Sequence, residues 1–81
     1  MTPSLMDRVE INPQIMLGKP VIKGTRITVE IILKKLSQNI AIEEILADYP
    51  RITRDDVQAA IAYAATALST DEIMPLEAVP V

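Results

Sequence analysis

Both glycines of this chain stand in one ten-residue run, Gly18-Lys19-Pro20-Val21-Ile22-Lys23-Gly24-Thr25-Arg26-Ile27. That confinement constrains the fold strongly. Glycine adopts positive φ with little steric penalty, while Pro20 fixes its own φ and pushes Lys19 toward an extended form. The run therefore predicts a tight, basic, irregular corner, and the rest of the chain reads mostly as plain amphipathic helix. A rigid cationic corner contributes little to so small a domain unless something docks on it.

Helical periodicity dominates the chain from Thr28 to Leu68. Thr28 is a good N-cap, and Val29, Ile32, Leu33 and Leu36 repeat at the spacing of one buried helix face. Glu30 and Lys34 stand four apart in the order that favours an ion pair, and Asn39 suits the left-handed residue that ends a helix. A second helix runs from Ala41 to about Asp48. Ile42, Ile45, Leu46 and Tyr49 form its stripe, Glu43 and Glu44 lie in the first turn, and Pro50 stops it. The third helix carries the clearest start signal. Thr53 is its N-cap, Asp56 can return a capping-box bond, and Ile52 with Val57 forms a hydrophobic staple. Its expected buried stripe is Val57, Ala60, Ile61, Ala64 and Leu68, with Tyr63 off it among Ala59, Ala62 and Thr66. Helices two and three, joined by Tyr49-Pro50-Arg51-Ile52, resemble a helix-turn-helix unit. Ahead of them, Arg8-Val9-Glu10-Ile11 and Val21-Ile22 are short β-like runs that can pair as a hairpin. Two prolines and no helical stripe in residues 69–81 predict an extended acidic tail with apolar anchors.

Composition limits the chemistry. The 81 residues include no Cys and no His, so there is no disulfide, no thiol nucleophile, no Cys/His zinc site and no histidine general base. The acids are scattered rather than clustered, so neither a cofactor nor a metal is expected, and an enzyme is an unfavoured reading. Phe and Trp are absent, yet 49% of residues are hydrophobic, more than a monomer of this size hides easily. That excess predicts a homodimer or a hetero-oligomer. No basic leader and no membrane-spanning apolar run are evident, so a cytoplasmic location is expected. Net charge is −3, unevenly spread: residues 1–40 carry Arg8, Lys19, Lys23, Arg26, Lys34 and Lys35 against Asp7, Glu10 and Glu30, while the later half carries Arg51 and Arg54 against eight acids.

Several residues are candidates for binding. Gly18-Lys19 lacks the partners of a phosphate-binding loop, since Pro13 and Pro20 stand where Gly and Ser or Thr are required. Arg26, on the second glycine turn, can clamp an external phosphate or carboxylate, or tie the hairpin to an acid within the domain. Arg51, Arg54 and Gln58 lie where a helix-turn-helix reads base edges, although Asp55 and Asp56 oppose phosphate there. Lys34 and Lys35 read as a solvated face. In the tail, Ile73, Met74, Leu76 and Val79 alternate with acids, a pattern suited to extended docking on a partner or to a frayed end.

Asn12-Pro13, the Gly18–Ile27 run, Val29, Glu43-Glu44-Ile45-Leu46, Asp48-Tyr49-Pro50 and the Thr53–Leu68 helix resemble domain of unknown function family 433. The resemblance runs from about Val9 to Leu68. That family is antitoxin-like, homeodomain-like in fold and similar to VapB antitoxins. In place of its common Gly-x-Ser turn before the second helix this chain has Asn39-Ile40-Ala41, which loses the N-cap hydroxyl. The resemblance implies a mainly α fold: a three-helix homeodomain-like helix-turn-helix core over residues 8–68, with a short N-terminal β-hairpin. Residues 1–7 would be an N-terminal extension and 69–81 the tail. It further implies the antitoxin of a type II toxin–antitoxin module, which neutralises a PIN-like ribonuclease toxin by complex formation and binds its operator DNA. Partner contacts would fall to Lys19, Lys23, Arg26 and the tail anchors, and DNA contacts to Arg51, Arg54 and Gln58. Antitoxins often push an arginine into the acidic catalytic centre of such a toxin, and Arg26 or another cation of the first half would have to supply it here. The alternative is a free-standing helix-turn-helix transcriptional regulator.

Overall fold

The computed structural model describes residues 5–69. A single 3-10 turn over Leu5–Arg8 leads into strand β1, Val9–Glu10, which pairs antiparallel with β2, Val21–Ile22. The register sets Val9 against Ile22 and Glu10 against Val21, and the Lys23 amide donates to the Arg8 carbonyl at 2.7 Å. Three helices come next: α1 Val29–Ser37, α2 Ile42–Asp48 and α3 Arg54–Ser69. The mainly helical architecture with a small N-terminal hairpin is the one expected from sequence.

The second glycine turn forms a compact reversal between β2 and α1. The Thr25 amide donates to the Ile22 carbonyl and the Ile22 amide to the Ile27 carbonyl, both at 2.9 Å. The Thr25 hydroxyl donates to the Ile22 carbonyl at 2.7 Å and accepts from the Ile27 amide at 3.0 Å. Gly24 sits at its tip with φ +80°, and a side chain there would meet open space, so glycine is required by the backbone alone. The Val29 amide donates to the Pro20 carbonyl at 2.9 Å and Thr28 bridges Val21, delivering the chain directly into α1.

The helix boundaries are set by capping. Thr28 Oγ1 accepts from the Ile31 amide at 3.1 Å, and Asn39 ends the helix segment at φ 66°. At α2, Ala41 offers no side-chain cap, so only its carbonyl begins the ladder. At α3 the capping box is complete: the Thr53 amide donates to Asp56 Oδ2 at 2.9 Å, and the Asp56 amide to Thr53 Oγ1 at 3.2 Å.

The core joins one side of each helix to β2. Ile22, Val29, Ile32, Ile45, Ile52, Val57 and Ala60 are buried together, and Leu33, Leu36, Ile42, Leu46, Tyr49 and Tyr63 pack around them. Each fully buried branched side chain contributes about 1.5–3 kcal/mol. On α3 the buried face differs from the expected stripe. Val57 and Ala60 are inside, but Ile61 and Leu68 are exposed, whereas Ala59 is buried and Tyr63 packs on the core. The edge that faces the domain runs through Asp56, Ala59, Ala60 and Tyr63, with Asp56 Oδ1 3.1 Å from Arg8 Nη1. The expected Glu30–Lys34 pair does not form either, because Glu30 Oε1 accepts from Lys19 Nζ at 3.1 Å across the corner. Lys35 is no simple solvated lysine: its Nζ lies 3.9 Å from Asp48 Oδ2 and 5.7 Å from the centre of the Tyr49 ring.

Candidate functional site

Between β1 and β2 the chain turns in a way that composition does not announce. Asn12 starts the turn, with Oδ1 accepting from the Gln14 amide and its carbonyl from the Ile15 amide, each at 2.8 Å. Met16, Leu17 and Gly18 then take φ of 48°, 58° and 81°, three consecutive left-handed residues. The turn is closed by the Gly18 amide on the Ile15 carbonyl at 3.0 Å and the Lys19 amide on the Met16 carbonyl at 3.1 Å. Glycine takes this conformation freely, but each of the other two carries about 1–2 kcal/mol of strain. The side chains gain little in return. Leu17 is 93% exposed, Met16 41%, and nearby Ile11 57%.

Beside this turn lies a groove of about 530 Å³, lined by Ile15, Gly24, Thr25, Arg26, Ile27 and Arg51. It brings the second glycine turn against the α2–α3 connection, joining two segments that the sequence treats as separate candidates. Arg26 and Arg51 are both exposed and form no ion pair among the described residues. No acidic residue lines the groove. The amides of Gly24 and Arg26 donate to no acceptor among the described residues. Lys23 is likewise exposed without an ion pair there, while Lys19 is engaged by Glu30.

The other expected DNA contacts fare differently. Arg54 Nη2 donates to Glu43 Oε2 at 2.7 Å, so its guanidinium is held against α2. The hydrogen bond from Arg54, with a smaller effect of the backbone and of the Arg54 charge, holds the Glu43 carboxyl below its usual range. Gln58 is exposed, and its side chain makes no hydrogen bond among the described residues. Asp55 and Asp56 both face Arg8, at 3.6 Å and 3.1 Å. The tail anchors Ile73, Met74, Leu76 and Val79 lie outside the described residues. Sequence reasoning missed Leu17, Met16 and Ile11 as surface residues, since neither Met nor Leu signals a left-handed turn; only Asn12-Pro13 and Gly18 bracket it.

A family model described as protein of unknown function DUF433 matches residues 9–64, from β1 into the middle of α3. The chain belongs to the DUF433 family. A crystal structure of a DUF433 member from Anabaena variabilis is similar, with 29% sequence identity and a TM-score of 0.73, covering 84% of this chain and 67% of that one. No curated protein shows significant similarity. Among the described residues no helix is long and apolar enough to cross a membrane.

Proposed function

We propose that this DUF433 protein is a cytoplasmic antitoxin that neutralises a PIN-like ribonuclease by forming a complex with it. The observation that carries the reading is the left-handed turn at Met16–Gly18. Two strained residues and a nearly fully exposed leucine are a double disadvantage to an isolated domain. Both are accounted for when Leu17 enters an apolar recess of another protein. Lys23, exposed and without an ion pair among the described residues, adds a positive charge suited to an acidic partner. The choice of a ribonuclease as that partner comes from the resemblance to VapB-like antitoxins, and the lack of His and Cys agrees with a role in gripping rather than catalysis.

Co-expression with a PIN-like ribonuclease encoded beside it tests the reading. The two chains are expected to co-purify, and RNA cleavage to be suppressed in the complex. Full ribonuclease activity in the presence of excess chain, with no complex on gel filtration, would overturn it.

A second reading, a helix-turn-helix regulator, is favoured by one detail: Arg51, in the connection between α2 and α3, has no ion pair among the described residues. Operator binding by the chain alone, lost on Arg51→Ala, would support it. Arg54→Ala is a weaker probe, since that arginine is held by Glu43.

A further inference from the structure

Beyond the antitoxin reading, and independent of it, we propose that the groove between the Gly24–Ile27 turn and Arg51 is a phosphate-binding site. The ligand is a phosphate group, supplied either as a free phosphate monoester or by the backbone of a nucleic acid.

Charge is the first ground. The chain has an overall excess of acids, and the structure joins Arg8, Lys19, Lys35 and Arg54 to carboxylates. Of the four cations without an ion pair among the described residues, Lys23, Arg26, Lys34 and Arg51, only Arg26 and Arg51 share one groove, and that groove has no acidic lining. Two like charges held around one depression repel each other, and an anion between them reverses the sign of that interaction. Shape is the second ground. Each guanidinium presents a planar fork of N–H donors that matches the oxygens of a phosphate in pairs. Ile15 and Ile27 line the groove beside them.

The backbone is the third ground. Gly24 and Arg26 carry amide groups without acceptors among the described residues, and glycine at φ +80° leaves no side chain over the first of them. Unpaired amides at a turn with a left-handed residue form the kind of concavity that takes anions. The Thr25 hydroxyl is already committed on both sides, to the Ile22 carbonyl and the Ile27 amide, so it holds the turn rather than the ligand. Phosphate fits better than carboxylate. Two guanidiniums bring two positive charges, which a phosphate monoester, at about −1.5 to −2 near neutral pH, balances and one carboxylate does not.

The test is a nitrogen-15 NMR titration of the full chain at fixed ionic strength, with inorganic phosphate, adenosine monophosphate, a random-sequence DNA duplex and acetate in separate arms. Saturable shifts of the Gly24, Thr25, Arg26 and Arg51 amides with any phosphate-bearing probe are expected. Each of Arg26→Ala and Arg51→Ala should weaken that binding at least about tenfold while leaving core amides in place, as loss of a charge-assisted bond implies. A tighter response to the duplex than to the free ions would assign the phosphate to nucleic acid, and the reverse to a small ligand; both support the site. It would be overturned by no saturable shift with any phosphate probe, by an equal response to acetate, or by shifts unchanged in both arginine variants. Movement of the same amides on deleting residues 70–81 without added ligand would also overturn it, by assigning the groove to the chain's own acidic tail.

Discussion

Asp56 is the residue on which the start of α3 turns, and its replacement gives a quantitative test of how this fold is held. Its side chain is 10% exposed. One oxygen accepts the Thr53 amide at 2.9 Å and the other accepts from Arg8 at 3.1 Å, which ties the N-terminal turn to α3. Asp56→Ala leaves the Thr53 amide without its cap, at about 1–2 kcal/mol. It also removes the bond to Arg8, discounted to about 0.5–1 kcal/mol because Arg8 is 42% exposed. The expected loss is about 2 kcal/mol. With a urea slope of about 1 kcal/mol/M for a domain of this size, the unfolding midpoint should fall by about 2 M. Asp56→Asn keeps an oxygen for the Thr53 amide and should cost about 1 kcal/mol less than alanine. A double-mutant cycle with Arg8→Met isolates the pair, with an expected coupling of about 0.5–1 kcal/mol. A loss below about 0.5 kcal/mol for the alanine variant, or no coupling to Arg8, would refute the view that this clamp ties the N-terminal turn to α3.

Three further outcomes are expected. Leu17→Asn should raise the melting temperature of the isolated chain, since Asn accepts left-handed geometry and almost no burial is lost; relief of about 1 kcal/mol corresponds to about 4–8 °C in a domain of this size. Gly24→Ala should lower stability by about 1 kcal/mol in thermal unfolding, through backbone strain alone, because the space around it is open. Glu43 has its folded pKa lowered by Arg54, so the pair stabilises the fold above the ordinary carboxylate value and loses that contribution as pH falls through the lowered one. In Glu43→Gln that part of the acid limb of a stability–pH curve should disappear.

Local chemistry makes most of the fold legible. Thr28, Asn39, Thr53 and Asp56 each act through a bond or a dihedral set by their own neighbours, and the structure places all four at the expected helix ends. Ala41 is an uncapped start for the same reason. Long-range geometry is less legible. Apolar content alone points α3 inward through Ile61 and Leu68, but the inward edge includes Asp56, which bonds to Arg8, 48 residues away in sequence. Glu30 likewise pairs with Lys19 across the corner rather than with Lys34 on its own helix. The candidate site is half visible. Arg26 and Arg51 both stand out in the sequence, but only the packing of the glycine turn against the α2–α3 connection brings them to one groove. Met16 and Leu17 give no sign of the left-handed turn, which only Asn12-Pro13 before them and Gly18 after bracket.

The most direct test of the docking account is the dissociation constant of the complex between the full chain and a PIN-like ribonuclease, measured by calorimetry for the native sequence and for Leu17→Asn. Burial of one leucine is worth about 1.5–3 kcal/mol, so affinity should fall at least about tenfold in a variant whose own fold is firmer. An unchanged affinity, or a variant that binds weakly only because it no longer folds, would contradict the claim that this strained corner exists for a partner.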